Sequence, residues 1–343
     1  MTVRRWAQRL VLVAFGLGLG ACDKPAEHSG APPAPSLSSS SVAKPPARAA
    51  RPAQVAQRYR FPAAARIVAV GDVHGDLAAT RAALRLAGAV DREDDWVGGE
   101  LVVVQTGDQL DRGDDDRAIL ELFEALEGKA RAAGGAFHVI NGNHETLNVM
   151  GDFRYVTARA MAAFSDVAPE GALAAVVGRY PRGQRGRAAA FLPGGMYARR
   201  LGRRNTIVIV GDTVFVHGGI TRAHVRRGVG KINREIMRWM QGQTFRPPAS
   251  VTGPDSPVWA RMYSDGEPDA ETCGVLAEVL SRLEVSRMVV GHTVQKRGIS
   301  SGCGGRVWRI DVGMSEYYGG RVEVLEIKGS KLRVITVAAE KPD

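Results

Sequence analysis

Short apolar runs alternate with polar turns along the chain from about residue 66 onward. Residues 67–70, 101–104, 137–140, 214–216 and 288–290 form mostly apolar runs of strand length, and each leads into a turn that contains glycine. Helical spacing of apolar residues follows the first two runs, around residues 77–86 and 119–126. Strands that alternate with helices are typical of an α/β fold. The pattern therefore predicts that fold class.

The five turns carry polar side chains of the kind that bind metal ions. They read GDVHGD from residue 71, GDQLDRG from 107, NGNHE from 141, HGG from 217 and GHT from 291. Singly, each has a structural explanation, because Asp after Gly is a common turn residue or helix cap. Together they lie where α/β sheets collect ligands, at the carboxyl ends of strands. Carboxylate, amide and imidazole ligands suit Mn, Fe or Zn better than Ca, and so many ligands favour two ions over one.

These turns resemble the signature of the calcineurin-like metallophosphoesterases, which is GDxHG, GDxxDRG, GNHE, HGG and a later His, in that order. The match runs from about Ile67 to Thr293 and is closest to the phosphoprotein phosphatase branch. Within that branch, PVWAR from residue 257 and IDVGM from residue 310 look like the bacterial Shewanella-like protein phosphatases. The resemblance implies two packed mixed β-sheets flanked by helices over residues 63–340, with a basic insert at about 151–205.

The resemblance also implies a two-metal phosphomonoester hydrolase. Two divalent ions are expected, with manganese first and iron or zinc as alternatives. A hydroxide that bridges the two ions would attack phosphorus in line, because water between two cations about 3.5–4 Å apart loses a proton near neutral pH. In this scheme Asp72 and His74 bind the first ion, and Asp108 bridges both ions. Asn143, His217 and His292 complete the coordination of the second ion.

Four further residues are candidates for catalysis. His144 follows Asn143 directly and resembles the family's general acid, which protonates the leaving oxygen. Asp111 is the candidate that orients His144, with a turn residue as the alternative. Arg112 is the candidate phosphate clamp, since guanidinium pairs with phosphate in bidentate fashion. Asn141 stands where well-known eukaryotic members have a second Arg, and Arg261 is the candidate replacement, or else a surface ion pair.

The stretch 171–204 contains arginines and no acidic residue. It is predicted to be a loop or small cap near the site. Two interpretations stay open, namely electrostatic attraction of an anionic substrate and a solvated surface. The arginines are Arg179, Arg182, Arg185, Arg187, Arg199, Arg200, Arg203 and Arg204.

The amino terminus has the pattern of an export signal. Arg4, Arg5 and Arg9 precede an apolar run of about a dozen residues, shorter than the roughly 20 that a membrane span needs. LGAC at residues 19–22 resembles a bacterial lipobox, so residues 1–21 are expected to be a signal peptide and Cys22 the lipidated residue. The Ala-, Pro- and Ser-rich stretch 22–62 is then a disordered tether. This implies a lipid-anchored protein on the periplasmic side of a bacterial membrane.

The net charge of +10 is concentrated in this amino-terminal part of the chain. Residues 1–62 contain 9 Lys and Arg against 2 acids, which leaves +3 for the rest. With no recognised nucleic-acid module, the charge does not indicate nucleic-acid binding. Cys273 and Cys303 can form a disulfide in an oxidising compartment, or stay unpaired.

The sequence leaves three functions to compare. The first is a phosphatase acting on phosphorylated protein or peptide, or on a small phosphomonoester. The second is a hydrolase of phosphorylated metabolites or dinucleoside polyphosphates, whose families share the first three turns. The third is a binding protein with a degenerate site, which the complete ligand set disfavours.

Overall fold

The structure, a computed structural model, describes residues 58–336 of the 343-residue chain. The predicted signal peptide 1–21, the lipidation site Cys22 and nearly all of the predicted tether lie outside the described residues. Among the described residues, no helix has the length and apolar character needed to cross a membrane.

The described chain contains strands and helices in the alternating order that the sequence predicts. The strands are β1 (Arg60–Phe61), β2 (Ile67–Val70), β3 (Val102–Gln105), β4 (Ala136–Val139), β5 (Ile207–Val210), β6 (Thr213–Val216), β7 (Arg287–Val290), β8 (Ser300–Gly302), β9 (Val307–Arg309), β10 (Glu323–Lys328) and β11 (Lys331–Thr336). The helices are α1 (Leu77–Leu86), α2 (Asp116–Ala132), α3 (Asn143–Met150), α4 (Ala158–Ala162), α5 (Leu173–Val177), α6 (Arg185–Phe191), α7 (Met196–Leu201), α8 (Arg222–Arg227), α9 (Val229–Met240) and α10 (Ala270–Leu283). Short 3-10 turns cover Arg182–Gln184 and Ala249–Val251.

The strands form two mixed sheets. One has the order β1-β5-β6-β7-β9-β8 and the other the order β11-β10-β2-β3-β4. In the second sheet β2, β3 and β4 are parallel, while β10 runs antiparallel to β2. In the first, β6, β7 and β9 are parallel, and β5 is antiparallel to β6. The predicted pair of mixed sheets is therefore confirmed.

The central strands are apolar on both faces because each face is covered. Ile67 and Ala69 of β2 pack with Phe215 and Val289 from the other sheet in a core between the sheets. Val68, on the opposite face of β2, packs with residues of α1 and α2. Helices α6, α7, α9 and α10 cover the outer face of the larger sheet. This double burial explains why the strands read as continuous apolar runs and not as alternating ones.

The fold begins slightly before the expected boundary at residue 63. Strand β1 runs parallel to β5, and the carbonyl of Tyr59 accepts a hydrogen bond from Ile209 at 2.7 Å. A strand of two residues leaves no periodic signal in a sequence, so this pairing could not be predicted. The possible disulfide is present, because Cys273 of α10 is bonded to Cys303 with their Cα atoms 5.3 Å apart.

The insert at about 151–205 is helical and partly buried, so the prediction of a loop is wrong. Several of its arginines are exposed, and attraction of an anionic substrate stays a prediction. The insert contains α4 to α7 between α3 and β5. Phe191 and Tyr197 are buried in the core beneath the larger sheet. Among its arginines, Arg187 has no solvent exposure.

Candidate active site

The predicted ligands converge at one edge of the two sheets. Asp72 and His74 follow β2, Asp108 follows β3, and Asn143 opens α3 directly after β4 and its turn. In the other sheet, His217 follows β6 and His292 follows β7. All six side chains belong to buried residues. The structure thus brings together side chains that are up to 220 residues apart, as the hydrogen bond between His292 N and Asp72 Oδ2 at 3.0 Å shows.

Several backbones at this edge adopt the left-handed conformation, which side chains other than glycine rarely occupy. Hydrogen bonds between turns hold it, since the carbonyl of Asp108 accepts from Val73 N at 3.1 Å and from His74 N at 3.0 Å. Such strain persists only where the surroundings enforce it, and it is frequent at functional sites. The residues are His74 (φ 44°), Asp108 (φ 54°), Asp111 (φ 72°), Arg112 (φ 73°) and His292 (φ 70°).

Asp108 lies at the centre of the site. Its Oδ2 atom is 3.2 Å from His217 Nε2 and 3.7 Å from His74 Nε2. Asp108 belongs to two groups of possible metal ligands, one with His74 and His144 and the other with His217 and His292. A carboxylate common to two such groups can bridge two cations.

The histidine rings are oriented for metal binding by their second nitrogen. His217 Nδ1 is 2.9 Å from the carbonyl of Thr106, and His74 Nδ1 is 3.3 Å from the carbonyl of Leu110. A carbonyl only accepts, so the proton of each ring belongs on Nδ1. Nε2 of each ring then faces Asp108 and would supply its lone pair to a bound ion, which is the arrangement usual around ligating histidines.

Two buried atoms support the fit of this site to cations. Asp72 Oδ1 and His292 Nε2 are buried and have no hydrogen-bond partner among the described residues. Burial raises the pKa of Asp72 well above its ordinary value, and the charges of Asp311 and Asp108 raise it further. Unpaired acceptors and crowded carboxylates are costly without a positive charge between them. The residues present therefore fit divalent metal ions.

Two glycines make room for the carboxylates. A Cβ atom at Gly142 would collide with Asp108 Oδ1, and one at Gly291 would collide with Asp72 Oδ1. The glycines beside the ligands are thus a steric requirement of the site.

Glu145 fixes the turns that carry the ligands. Its carboxylate accepts hydrogen bonds from the backbone N–H groups of Asp108 at 2.9 Å, Gln109 at 2.9 Å and Gly142 at 2.7 Å. The residue is fully buried. Glu145 belongs to the NGNHE turn, and its place beside His144 in that turn is the sequence signal that could have identified this role.

His144 and Asp111 form a buried pair. His144 Nδ1 is 2.7 Å from Asp111 Oδ2, and His144 Nε2 is 3.8 Å from Asp108 Oδ2. Burial alone would lower the pKa of His144, but the carboxylates of Asp108 and Asp111 outweigh it and raise the pKa to about 9. A protonated ring of this kind donates one N–H to Asp111 and has the other available in the cavity.

Arg112 is held between two aromatic rings. Its guanidinium carbon lies 4.1 Å from the ring centre of Tyr155 and 4.8 Å from that of Tyr317, and Nη1 donates to Tyr317 Oη at 3.0 Å. The two ring contacts restrict the guanidinium, and the donors that Tyr317 does not use can bind a ligand. Arg112 is predicted from its motif, whereas neither tyrosine belongs to a motif that could have predicted it.

Arg261 lies in the cavity and Asn141 does not. Arg261 Nη1 donates to Thr293 Oγ1 at 2.8 Å and to the carbonyl of His292 at 3.1 Å. Asn141 Nδ2 instead donates to the carbonyls of Leu201 at 3.1 Å and Arg204 at 3.3 Å. Asn141 therefore fastens the end of the insert, whereas Arg261 lines the same cavity as Arg112.

A cavity of about 100 Å³ joins these residues. Besides most of the predicted residues, it is lined by Tyr155, Trp259, Asp311 and Tyr318. Asp311 follows β9 and is buried, and its charge contributes to the raised pKa of Asp72. The stretch before Asp311 reads VWRI, so it repeats the strand-then-polar-turn pattern, and that pattern could have identified it.

This fold and site define the class of protein. The family model for calcineurin-like phosphoesterases matches residues 65–296, and the chain belongs to this family. It is a metal-dependent phosphoester hydrolase by membership and by the ligand cluster around Asp108.

The relatives narrow the class further. The chain is 39% identical over 310 residues to Shewanella-like protein phosphatase 2 of Arabidopsis thaliana, which covers 81% of this chain and 79% of the relative. It is 28% identical to Shewanella-like protein phosphatase 1 of Plasmodium berghei, with 80% and 75% covered. The structure of a cold-active protein-tyrosine phosphatase of a psychrophilic Shewanella species shares the fold, with a TM-score of 0.64, 24% identity and 81% and 79% covered. The predicted resemblance to the Shewanella-like phosphatases is confirmed.

Proposed function

We propose that the protein removes phosphate from phosphorylated side chains of proteins or peptides. The observation that carries this proposal is that the paired His144 and Asp111, the two arginines and the shared ligand Asp108 line or adjoin one cavity. A cleft of about 510 Å³ also contains Arg112, together with Asp76, Arg159 and Tyr317. Because the cleft shares Arg112 with the site cavity, it offers room for polypeptide next to a phosphorylated residue. The names of the relatives agree with this substrate class.

The chain's own residues have separable tasks in the reaction. Two bound divalent ions would supply Lewis acidity and a water-derived nucleophile at neutral pH. Arg112, whose planar guanidinium is fixed by two tyrosines, binds the phosphate oxygens, and Arg261 of the PVWAR motif assists it. His144 donates its Nε2 proton to the leaving oxygen, and Asp111 holds the ring in the tautomer that permits this.

Manganese is our proposal for both ions, with iron or zinc as alternatives. The support is the mixture of imidazole, carboxylate and amide donors, which suits these metals better than Ca or Mg. Metal analysis of protein purified without chelators tests the proposal. Two equivalents of a transition metal per chain are expected, and a site that binds only Mg would contradict it.

A substrate panel tests the proposed activity. Protein lacking residues 1–57, loaded with Mn, is incubated with phosphotyrosine peptide, phosphoserine peptide, p-nitrophenyl phosphate and a dinucleoside polyphosphate. Release of phosphate from at least one peptide, with a kcat/KM above that for the dinucleotide, is expected. Faster cleavage of the dinucleoside polyphosphate would replace this proposal by a hydrolase of metabolites.

We further propose that the protein is exported and anchored through lipid at Cys22, on the periplasmic side of a bacterial membrane. The support is the pattern of residues 1–22 and the Cys273–Cys303 disulfide, which suits an oxidising compartment. Labelling with radioactive palmitate in wild type, and its loss in Cys22→Ser, tests the anchor.

A further inference from the structure

Arg187 is a buried arginine whose hydrogen bonds connect the insert to the site. It lies on α6 with no solvent exposure. Nη2 donates to Asp116 Oδ2 at 2.6 Å and to Asp111 Oδ1 at 3.2 Å, and Nε donates to Asn148 Oδ1 at 2.8 Å. A fully buried arginine persists only when its charge and donors are matched, and here two carboxylates and an amide match them.

The contacts of Arg187 lead directly to His144. Asp111 uses one oxygen, Oδ1, for Arg187 and for Asn148 Nδ2 at 2.9 Å, and the other, Oδ2, for His144 Nδ1 at 2.7 Å. Asn148 Nδ2 also donates to the carbonyl of His144 at 2.9 Å. Because Oδ1 is held by two donors, Oδ2 has one direction in which to point.

The surroundings of Arg187 restrict its own movement. Its guanidinium carbon lies 5.2 Å from the ring centre of Phe164 and 5.0 Å from that of Phe191, and Nη1 donates to the carbonyl of Ala160 at 3.1 Å. All three neighbours, Phe164, Phe191 and Ala160, belong to the insert. A planar fork held on its faces and edges is a rigid support, which a flexible ammonium would not reproduce.

We propose that Arg187 is a positioning residue for the general acid, through which the helical insert holds Asp111 and thereby the ring of His144. Arg187 does not line the cavity around Asp108, so it acts through Asp111. The inference rests on the proposed role of His144 as the acid. It gives the insert a task in catalysis that differs from attracting substrate.

Dependence on the leaving group tests this inference. A phenol with a pKa of about 10 needs protonation as it leaves, whereas the far more acidic p-nitrophenol does not. We expect Arg187→Lys to lower kcat for phenyl phosphate by about 10-fold or more, within the roughly 10²–10⁴-fold that general acids contribute. We expect kcat for p-nitrophenyl phosphate to fall less than about 3-fold, with KM unchanged for both. Equal losses on both substrates, or none on either, would overturn the inference.

The Arg287→Met variant is the matched control. Arg287 is also buried and paired, to Asp212 at 3.1 Å, but lies at the end of β7 away from His292. Its loss should destabilise the fold without any preference between the two substrates. Arg187→Met is a second variant at the proposed position. If it fails to fold, the milder Arg187→Lys decides.

A double substitution tests whether Arg187 acts through Asp111. In an Asp111→Asn background, Arg187→Lys should cause no further selective loss on phenyl phosphate, because residues that act in one chain are not additive. Additive losses would overturn the inference.

A spectroscopic readout separates this inference from the proposed activity. In zinc-loaded protein, which avoids broadening by paramagnetic Mn, the Nδ1 proton of His144, identified by its absence in His144→Asn, should give a slowly exchanging NMR signal in wild type and Arg287→Met. We expect it to be lost or to exchange faster in Arg187→Lys. If His144→Asn shows no preference for the better leaving group, the proposed acid role fails. The NMR signal then still decides whether Arg187 positions the ring.

Discussion

The backbone N–H of His144 donates a hydrogen bond to Asp108 Oδ1 at 3.0 Å. This bond fixes the start of α3, which carries the candidate acid, to the carboxylate shared by both ligand groups. The other oxygen of Asp108 faces the imidazole nitrogens of His74 and His217. Asp108 Oδ1 therefore holds the start of α3 in place, while Oδ2 faces the imidazoles where a metal ion would bind.

Asp108→Asn should separate these two tasks. The amide oxygen can still accept from His144 N–H, so the fold and its melting temperature should change little. Removal of one hydrogen-bond donor to a transition state lowers kcat by about 10²–10³-fold. Loss of the bridging charge should lower kcat by more than that. Circular dichroism and steady-state kinetics with added Mn check both parts. Retained phosphatase activity with metal supplied would contradict the two-metal interpretation.

His144→Asn should remove proton donation and leave the metals bound. His144 Nε2 lies 3.8 Å from Asp108 Oδ2, so distance alone does not separate a metal ligand from an acid. The carboxylate of Asp111, 2.7 Å from His144 Nδ1, stabilises a protonated ring, which favours the acid. We expect kcat to fall by about 10²–10⁴-fold. Two metal equivalents per chain, measured by elemental analysis, should remain, and loss of one would make His144 a ligand.

Removal of the metals should destabilise the protein. Without cations, burial raises the pKa of Asp72, and the charges of Asp311 and Asp108 raise it further. A ligand at about 1,000 times its dissociation constant contributes about 4 kcal/mol, which corresponds to roughly 8 °C or more in melting temperature. Differential scanning calorimetry with EDTA, and then with Mn restored, measures the difference.

Asp72→Asn is the control for the metal-removal experiment. It removes one of the crowded carboxylates and one ligand at once. The gap between the EDTA and Mn melting temperatures should therefore narrow in this variant. An unchanged gap would show that Asp72 takes no part in metal binding.

The features that could be predicted from the sequence are those that depend on the local pattern of residues. The strand at Ile67–Val70 was visible because burial on both faces leaves an uninterrupted apolar run, and Asp72 and His74 follow at fixed spacing. Since the carboxyl ends of parallel strands share one edge, the convergence of the turns followed from the fold class.

What the sequence could not predict depends on distant packing. Arg187 belongs to a run of arginines that look alike, and only the folded insert distinguishes the buried one from its exposed neighbour Arg185. Tyr155 and Tyr317 surround Arg112 from segments 162 residues apart. No local rule relates such residues, so their roles become visible only in three dimensions.

His138 should make the protein less stable in mild acid. It lies on β4 with its ring 4.1 Å from that of Phe61, and burial, assisted by the charge of Arg58, lowers its pKa to about 4. The unfolded chain has a histidine pKa of about 6.5 and takes up a proton first as the pH falls. The stabilising contribution of neutral His138 is therefore complete above pH 6.5 and is lost progressively as the pH falls to about 4.

Urea unfolding at pH 7 and pH 5 measures this contribution. The pKa difference corresponds to about 2 kcal/mol over that interval, so the pH dependence of His138→Gln should be flatter than wild type by that amount. The metal ligands titrate equally in both proteins, and their effect cancels in the comparison. His224 on α8, whose pKa burial also lowers to about 4, provides the matched variant His224→Gln. The two effects should add, because the residues lie on different elements, β4 and α8. Identical pH dependence in wild type and His138→Gln would show that His138 is solvated.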